Sequence, residues 1–253
     1  MTTEDLVCIT LDIGEQMLIS GAEVSRVEDS MRRILTAYDI QRIDVFTITS
    51  SIVTTVTDKD NKVITQTRRI QNYRTDFNKL HNLNALSRKI CTTKPQLAEI
   101  KKELDVIVAQ QPFSFTVQCF AFMLIGASFT LFFGGTFLDA AVSSLVALLL
   151  KLTVQLLTQM NINTVLTNLV GSFLISFLAI LATWMHFGNN PDMIIIGNIM
   201  LLIPGIGITN SIRDVVGGDL IAGILRFCES IVIALAIAGG YFLAVLVLGG
   251  LIA

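Results

Sequence analysis

Charged side chains set in apolar stretches are where this sequence first suggests chemistry. Residues 201–230, LLIPGIGITNSIRDVVGGDLIAGILRFCES, place Pro204 and Gly205 inside an apolar run and follow them with Arg213, Asp214, Asp219, Arg226 and Glu229. A break of this kind is tolerated at membrane depth only where the freed backbone groups face protein, water or a ligand. Helix N-termini favour anions, so a half-helix starting after Gly205 suits a carboxylate; a plain proline kink leading into a loop is the alternative. Arg226 and Glu229 are three apart, share a helix face and can pair with each other. A charge at the centre of a span costs roughly 2.5 to 3.5 kcal/mol on insertion scales, so Glu229 reads as a proton carrier or as half of a structural ion pair. Lys151 and Gln155, four apart, pose the same question, and Lys151 can also snorkel to the interface.

A second group lies near the N-terminus, where GAEVSRVEDSMRRI, residues 21–34, carries Gly21, Glu23, Arg26 and Glu28. Ser20 and Glu23 have capping-box spacing, and a solvated helix face would account for the other charges. Arg68, Arg69 and Arg74 form a basic group that suits either anionic lipid or an ordinary exposed face. The sequence contains no Walker A loop, nucleophile elbow or dinucleotide fingerprint, so nothing in it supports an enzyme. Its four cysteines are scattered, with no CxxC pair, and His81 and His186 are its two histidines. Neither a disulfide framework nor a metal site is expected, and no cofactor is implied.

These residues must be positioned by two kinds of element. Thr2 and Asp5 can cap a first helix carrying Leu6, Ile9, Ile13 and Met17, with Gly21 just past its end. A second helix follows with Val24, Val27, Met31, Ile34, Leu35 and Tyr38 on one side. RIDVFTIT, IVTTVT and KVITQTRRI then read as a three-stranded meander, the last two strands joined by DKDN. Phe77 to Ile90 and a run from about Gln96 suggest two more helices, giving a small α+β domain over 1–111. Beyond it, 112–253 is expected to form an all-α membrane domain. Its apolar segments 113–133, 137–157, 164–187, 191–209 and 221–249 are each near or above the ~20 residues that cross a bilayer, the fourth broken at Pro204–Gly205.

Composition supports this division. The chain has 253 residues, 53% hydrophobic and only 15% charged, against about 25% charged in ordinary soluble domains. Residues 1–110 hold 15 Lys/Arg and 15 Asp/Glu, leaving 3 basic and 5 acidic residues for all the rest. With a net charge of −2 and no basic surface, no nucleic-acid partner is expected. The acidic start, MTTEDLVCIT, argues against a cleaved signal. Lys94, Lys101 and Lys102 precede the first span while nothing basic follows it, which places the N-terminal domain in the cytoplasm and, after five spans, the C-terminus outside.

GAEVSRVEDSMRRI, the threonine-rich strands ending in TRRI, and PGIGITNSIRDVVGGDLIAGILRFCES together closely resemble the threonine/serine exporter family, from about residue 5 to the end. The resemblance implies a cytoplasmic α+β domain, a five-span membrane half, and export of small carboxylate-bearing metabolites driven by an ion gradient. Carried over by position, the family motif falls on Gly21, Glu23, Arg26 and Glu28, and on Pro204, Gly205, Asn210, Arg213, Asp214, Gly218, Asp219, Arg226 and Glu229. Single-chain members continue into a second hydrophobic half, whereas this sequence stops at Ala253. It is therefore similar to the large subunit of the split, two-component type, whose companion is a small multi-span membrane protein, and a hetero-oligomer, with several copies allowed, is expected. Gln118, Lys151, Asn168 and Asn198 are polar groups that such a partner would help to cover.

Threonine or serine is the expected substrate. Lys151, Arg213 and Arg226 against Asp139, Asp192, Asp214, Asp219 and Glu229 suit a zwitterion better than a dianion. Thr209, Asn210 or Ser211 would then receive the substrate hydroxyl. Some split members look like dicarboxylate exporters, which makes a C4-dicarboxylate such as succinate the runner-up. A membrane-anchored regulatory or scaffolding protein is the rival from another class, but an anchor needs neither a Pro-Gly break nor a buried Glu229.

Overall fold

A computed structural model of the chain describes residues 2–248 apart from Asn72 and Arg74. The expected role of Arg74 and the tail beyond Leu248 lie outside these described residues. The chain divides into two compact units, 1–111 with 207–227 and 112–206 with 228–253.

In the first unit, α1 (Thr3–Ile19) opens with the expected capping box between Thr2 and Asp5, and Gly21 follows it with φ +95°. Only a residue without a Cβ adopts that left-handed conformation readily, which lets the chain turn sharply into α2 (Val24–Ala37). The Ser20–Glu23 capping box does not form: Ser20 is the C-cap of α1, and Glu23 is the N-cap of α2 without a side-chain cap bond. The spacing S-x-x-E matched the motif, but the chain there is completing a C-terminal turn, so Ser20 is one turn too early to cap α2.

The strands β1 (Arg42–Ile48), β2 (Ser51–Thr57) and β3 (Val63–Arg69) form an antiparallel meander of order β1-β2-β3, as their β-branched alternation predicts. β2 buries Ile52, Thr54 and Val56 at period two. Helices α3 (Phe77–Thr93) and α4 (Leu97–Val108) complete the set. The core is built from Leu11, Met17, Met31, Ile34, Ile52, Leu83 and Ile100, with Ala222 from the returning segment. Arg68 of β3 pairs with Asp12 of α1 at 2.9 Å and lies 4.0 Å from Glu15.

The second unit is helical. α5 (Phe115–Phe132), α6 (Phe137–Gln159), α7 (Thr164–Trp184) and α10 (Leu220–Leu248) are long and apolar enough to cross a membrane. The segment 191–209, read as one span, instead supplies α8 (Pro191–Ile199) and the start of α9 (Gly205–Val216), separated at Met200–Pro204. Pro204 cannot donate to the ladder, and the turn before it closes with tighter bonds, Leu201 N–H to Asn198 O at 3.0 Å and Leu202 N–H to Ile199 O at 2.8 Å. The expected break is present, and among the described residues four helices, where five were expected, are continuous candidates for crossing.

Glycines set the close approaches within this unit. A Cβ on Gly197 would lie 2.2 Å from Thr130 Oγ1, and one on Gly240 would lie 2.2 Å from the Leu169 carbonyl. Small residues at such points let helix backbones touch. Asp139 caps its own helix through Thr136 and also accepts the Asn189 and Asn190 N–H groups at 2.6 and 3.1 Å, fixing the approach to α8.

Candidate functional site

Both motif groups meet inside the first unit. Residues 207–227 form most of α9, a turn and the start of α10, and this hairpin touches the corner between α1 and α2. The turn depends on Gly218, with φ +99°. The hairpin closes on Gly223, where a Cβ would lie 2.5 Å from Val215 Cγ2 and 2.8 Å from the Ser211 carbonyl.

Three polar links join the hairpin to the corner. Asn210 Nδ2 donates to the Gly21 carbonyl at 3.1 Å. Arg213 pairs with Glu23, which also sits 3.9 Å from Arg26. Asp214 Oδ1 accepts the Val24 N–H at 3.2 Å, and its Oδ2 lies 3.2 Å from Arg226. Asp214 thus supplies, from 190 residues away, the cap that Glu23 does not, since Val24 opens α2 and its N–H has no partner within the helix.

The two ion pairs differ in environment. Asp214 is fully buried and Arg226 is 8% exposed, whereas the Arg213 side chain is 58% exposed against 16% for Glu23. Glu28, one turn along α2, accepts the Thr47 N–H at 2.8 Å and lies 3.9 Å from Arg32. Burial, seconded by the charge of Asp219, pushes its carboxyl above the ordinary range, against the pull of the Thr47 bond and Arg32. Asp219 itself lies in the hairpin turn, its N–H bonded to the Asp214 carbonyl.

Other expected site residues fall elsewhere. Arg226 is buried and engages Asp214. Glu229 is exposed on α10, so the chain does not enclose it as a buried charge. Pro204 and Gly205 mark the start of α9, and a Cβ at Gly205 would meet open space. Thr209 is exposed, while Ser211 is buried with its hydroxyl on the Ile208 carbonyl.

Lys151 belongs to the second unit. It is buried, donates to Gln118 Oε1 at 2.7 Å and lies over the Phe122 ring at 5.1 Å. Asn168 Nδ2 reaches the Thr164 carbonyl and Asn198 Nδ2 the Ser143 hydroxyl. Gln118, Lys151 and Asn168 are engaged within this chain, as is the Asn198 amide nitrogen, while Asn198 Oδ1 is buried without a hydrogen-bond donor among the described residues. Among the described residues, no cluster of three or more His, Cys, Asp or Glu is placed to hold a metal.

Sequence reasoning missed Gly223 and the backbone of Val24. Gly223 stands five residues after Gly218 in GGDLIAG, a spacing that marks one hairpin once the turn is placed.

A multi-span membrane protein whose motifs converge on one charged corner is the class defined so far. Residues 8–248 match the family described as "Putative threonine/serine exporter", and the chain belongs to that family of membrane exporters. It is 25% identical to the "Threonine/serine exporter" of Corynebacterium glutamicum, over 92% of this chain and 49% of that protein. It is 19% identical to the "Probable threonine/serine exporter" of Mycobacterium tuberculosis, over 96% of this chain and 46% of the other. The chain thus spans about half the length of these two relatives. It is also 25% identical to the "Probable succinate transporter subunit YjjP" of Escherichia coli, over 98% of both chains. No solved structure matches the chain.

Proposed function

We propose that the chain is a subunit of a secondary-active exporter of small carboxylate-bearing metabolites, with threonine and serine as cargo. The observation that carries this reading is the Glu23–Arg213 pair: one charge of each sign, side by side, with Arg213 more than half exposed. A zwitterionic amino acid carries the same two charges and exchanges with the pair, its carboxylate going to Arg213 and its ammonium to Glu23. Thr209, one turn before Arg213, is exposed on the same helix face, and the substrate hydroxyl is assigned to it. The buried Asp214, braced by Arg226, holds the hairpin to α2 through the Val24 N–H and leaves the Glu23–Arg213 pair free to open.

α8 and α9 together make a fifth, interrupted crossing. α8 starts beside Asp139, near the beginning of α6, and Leu202 packs near Gly171 and Leu150. The eleven residues from Asp139 to Leu150 rise about 16 Å, roughly half of a ~30 Å hydrocarbon core, and α9 continues beyond. With the Lys94, Lys101 and Lys102 flank inside, five crossings put the N-terminal domain in the cytoplasm and the tail outside. Export is coupled to inward proton flow, with Glu229, an ionisable group in a long apolar helix, as the carrier. A small multi-span membrane subunit completes the transporter. The match to a relative named as a subunit, across 98% of both chains, supports that assembly.

The same relative's name makes succinate the second reading. Vesicles containing the chain and its partner, loaded in turn with labelled threonine, serine and succinate under a proton gradient, separate the two. Efflux of threonine and serine is expected. Efflux of succinate alone overturns the zwitterion assignment, and no efflux of any of them returns the chain to an anchored regulatory or scaffolding role.

A further inference from the structure

The soluble part of the first unit holds a cavity that the exporter reading leaves unused. It lies between α2 and α3 and has a volume of about 620 Å³, within the range of small-molecule sites. Its walls are two helical stripes. Arg26, Asp29 and Arg33 recur at spacings of three and four along α2, and His81, Asn84 and Arg88 do the same along α3.

Such spacing places each set on one helix face, so the functional groups converge on the space between. Three guanidiniums stand against a single carboxylate. Asp29 is engaged by Arg33 at 2.8 Å and Arg26 lies 3.9 Å from Glu23, while Arg88 makes no ion pair among the described residues. Two hydroxyls, of the buried Ser30 and Ser87, also line the cavity. Arg33 and Cys91 are shared with an adjoining cavity that includes Arg32, so the cationic lining continues along α2.

A surplus of two cations, with imidazole, amide and hydroxyl groups beside them, suits neither an apolar ligand nor a cation. Guanidinium forks match planar or tetrahedral oxyanions by paired N–H···O bonds. We infer that the cleft between α2 and α3 is a binding site for a small dianionic metabolite, a phosphoryl group or a dicarboxylate, held chiefly by Arg33 and Arg88.

Calorimetric titration of the purified full-length chain in detergent tests this, using inorganic phosphate, pyrophosphate and succinate at matched ionic strength with chloride as control. Saturable binding is expected, weakened at least tenfold by Arg33→Ala and by Arg88→Ala and unchanged by Arg42→Ala, whose side chain lies on β1 outside the cavity. Hydrogen exchange should slow in α2 and α3 when anion is present. Phosphate or pyrophosphate binding without succinate binding identifies the phosphoryl source, and the reverse identifies the dicarboxylate. Absence of saturable binding by every anion, or equal weakening by Arg42→Ala, overturns the site. Melting temperatures of the variants close to that of the parent show that a lost affinity is not a lost fold. These outcomes are independent of transport, so failure of the exporter reading leaves them standing.

Discussion

Asp214 and Arg213 are neighbours in the chain yet carry different loads. Asp214 has no exposed surface, and removing it takes away the carboxylate that pairs with the buried Arg226 and leaves the Val24 N–H uncapped. Breaking a buried pair from one side costs about 3 to 5 kcal/mol, whereas an exposed pair such as Arg213–Glu23 contributes about 0 to 1 kcal/mol. Asp214→Ala should therefore lower the melting temperature and the membrane yield, while Arg213→Ala leaves both near the parent and abolishes export. Equal instability of the two would make Arg213 a structural residue. Glu28 supplies a test by pH. Burial raises its carboxyl above the ordinary glutamate range, so the folded state binds that proton more tightly than the unfolded chain does. Its contribution is complete below the unfolded value and is lost as pH rises through the folded one. Glu28→Gln, which keeps an acceptor for Thr47, should melt higher than the parent at neutral pH and lose that advantage in acid. A gain that persists unchanged in acid would refute the assignment.

The decisive element is the hairpin made by α9 and the start of α10. Its turn needs the left-handed Gly218 and its closure needs Gly223, which leaves no room for a Cβ beside Val215 and Ser211. Backbone atoms cannot swing aside as a side chain can, so Gly223→Ala should cost about 1 to 3 kcal/mol through overpacking. It should also loosen the Asp214–Arg226 and Asn210–Gly21 contacts that the hairpin presents. Gly205→Ala meets open space and should be tolerated in folding. Melting curves of the two variants side by side decide this, and equal loss would mean that the helix start at Gly205 is packed after all.

At the scale of the whole molecule the question is how many times the chain crosses. Among the described residues four helices are long and apolar enough to cross alone, and in the proposed topology α8 and α9 supply the fifth crossing as a pair. A reporter fused after Ala253 should be active only outside the cell, while Cys91, on α3 of the first unit, should be labelled only from the cytoplasm. Reporter activity in the cytoplasm would mean an even number of crossings, with 191–209 re-entering on its own side. The partner subunit is tested separately: export in reconstituted vesicles should need both chains, and robust export by this chain alone would remove that requirement.

Several of these elements were legible in the residues themselves. The Thr2–Asp5 cap, the apolar stripe of α2, the alternation of β2 and the break at Pro204 follow from local geometry. Caps, periods of 3.6 or 2, and a missing backbone donor act within a few residues of their own position. The family motif likewise marked Glu23, Arg213, Asp214 and Arg226. It did not say which meets which. Sequence spacing offered Glu229 as the partner of Arg226 and Ser20 as the partner of Glu23, and in both cases a nearer neighbour lost to a distant one. Asp214 met Arg226 because the hairpin folds α10 back on α9, and it reached the uncapped Val24 because packing brought that hairpin against the α1–α2 corner. Contacts between residues 190 positions apart depend on how whole helices pack, and no local rule encodes them.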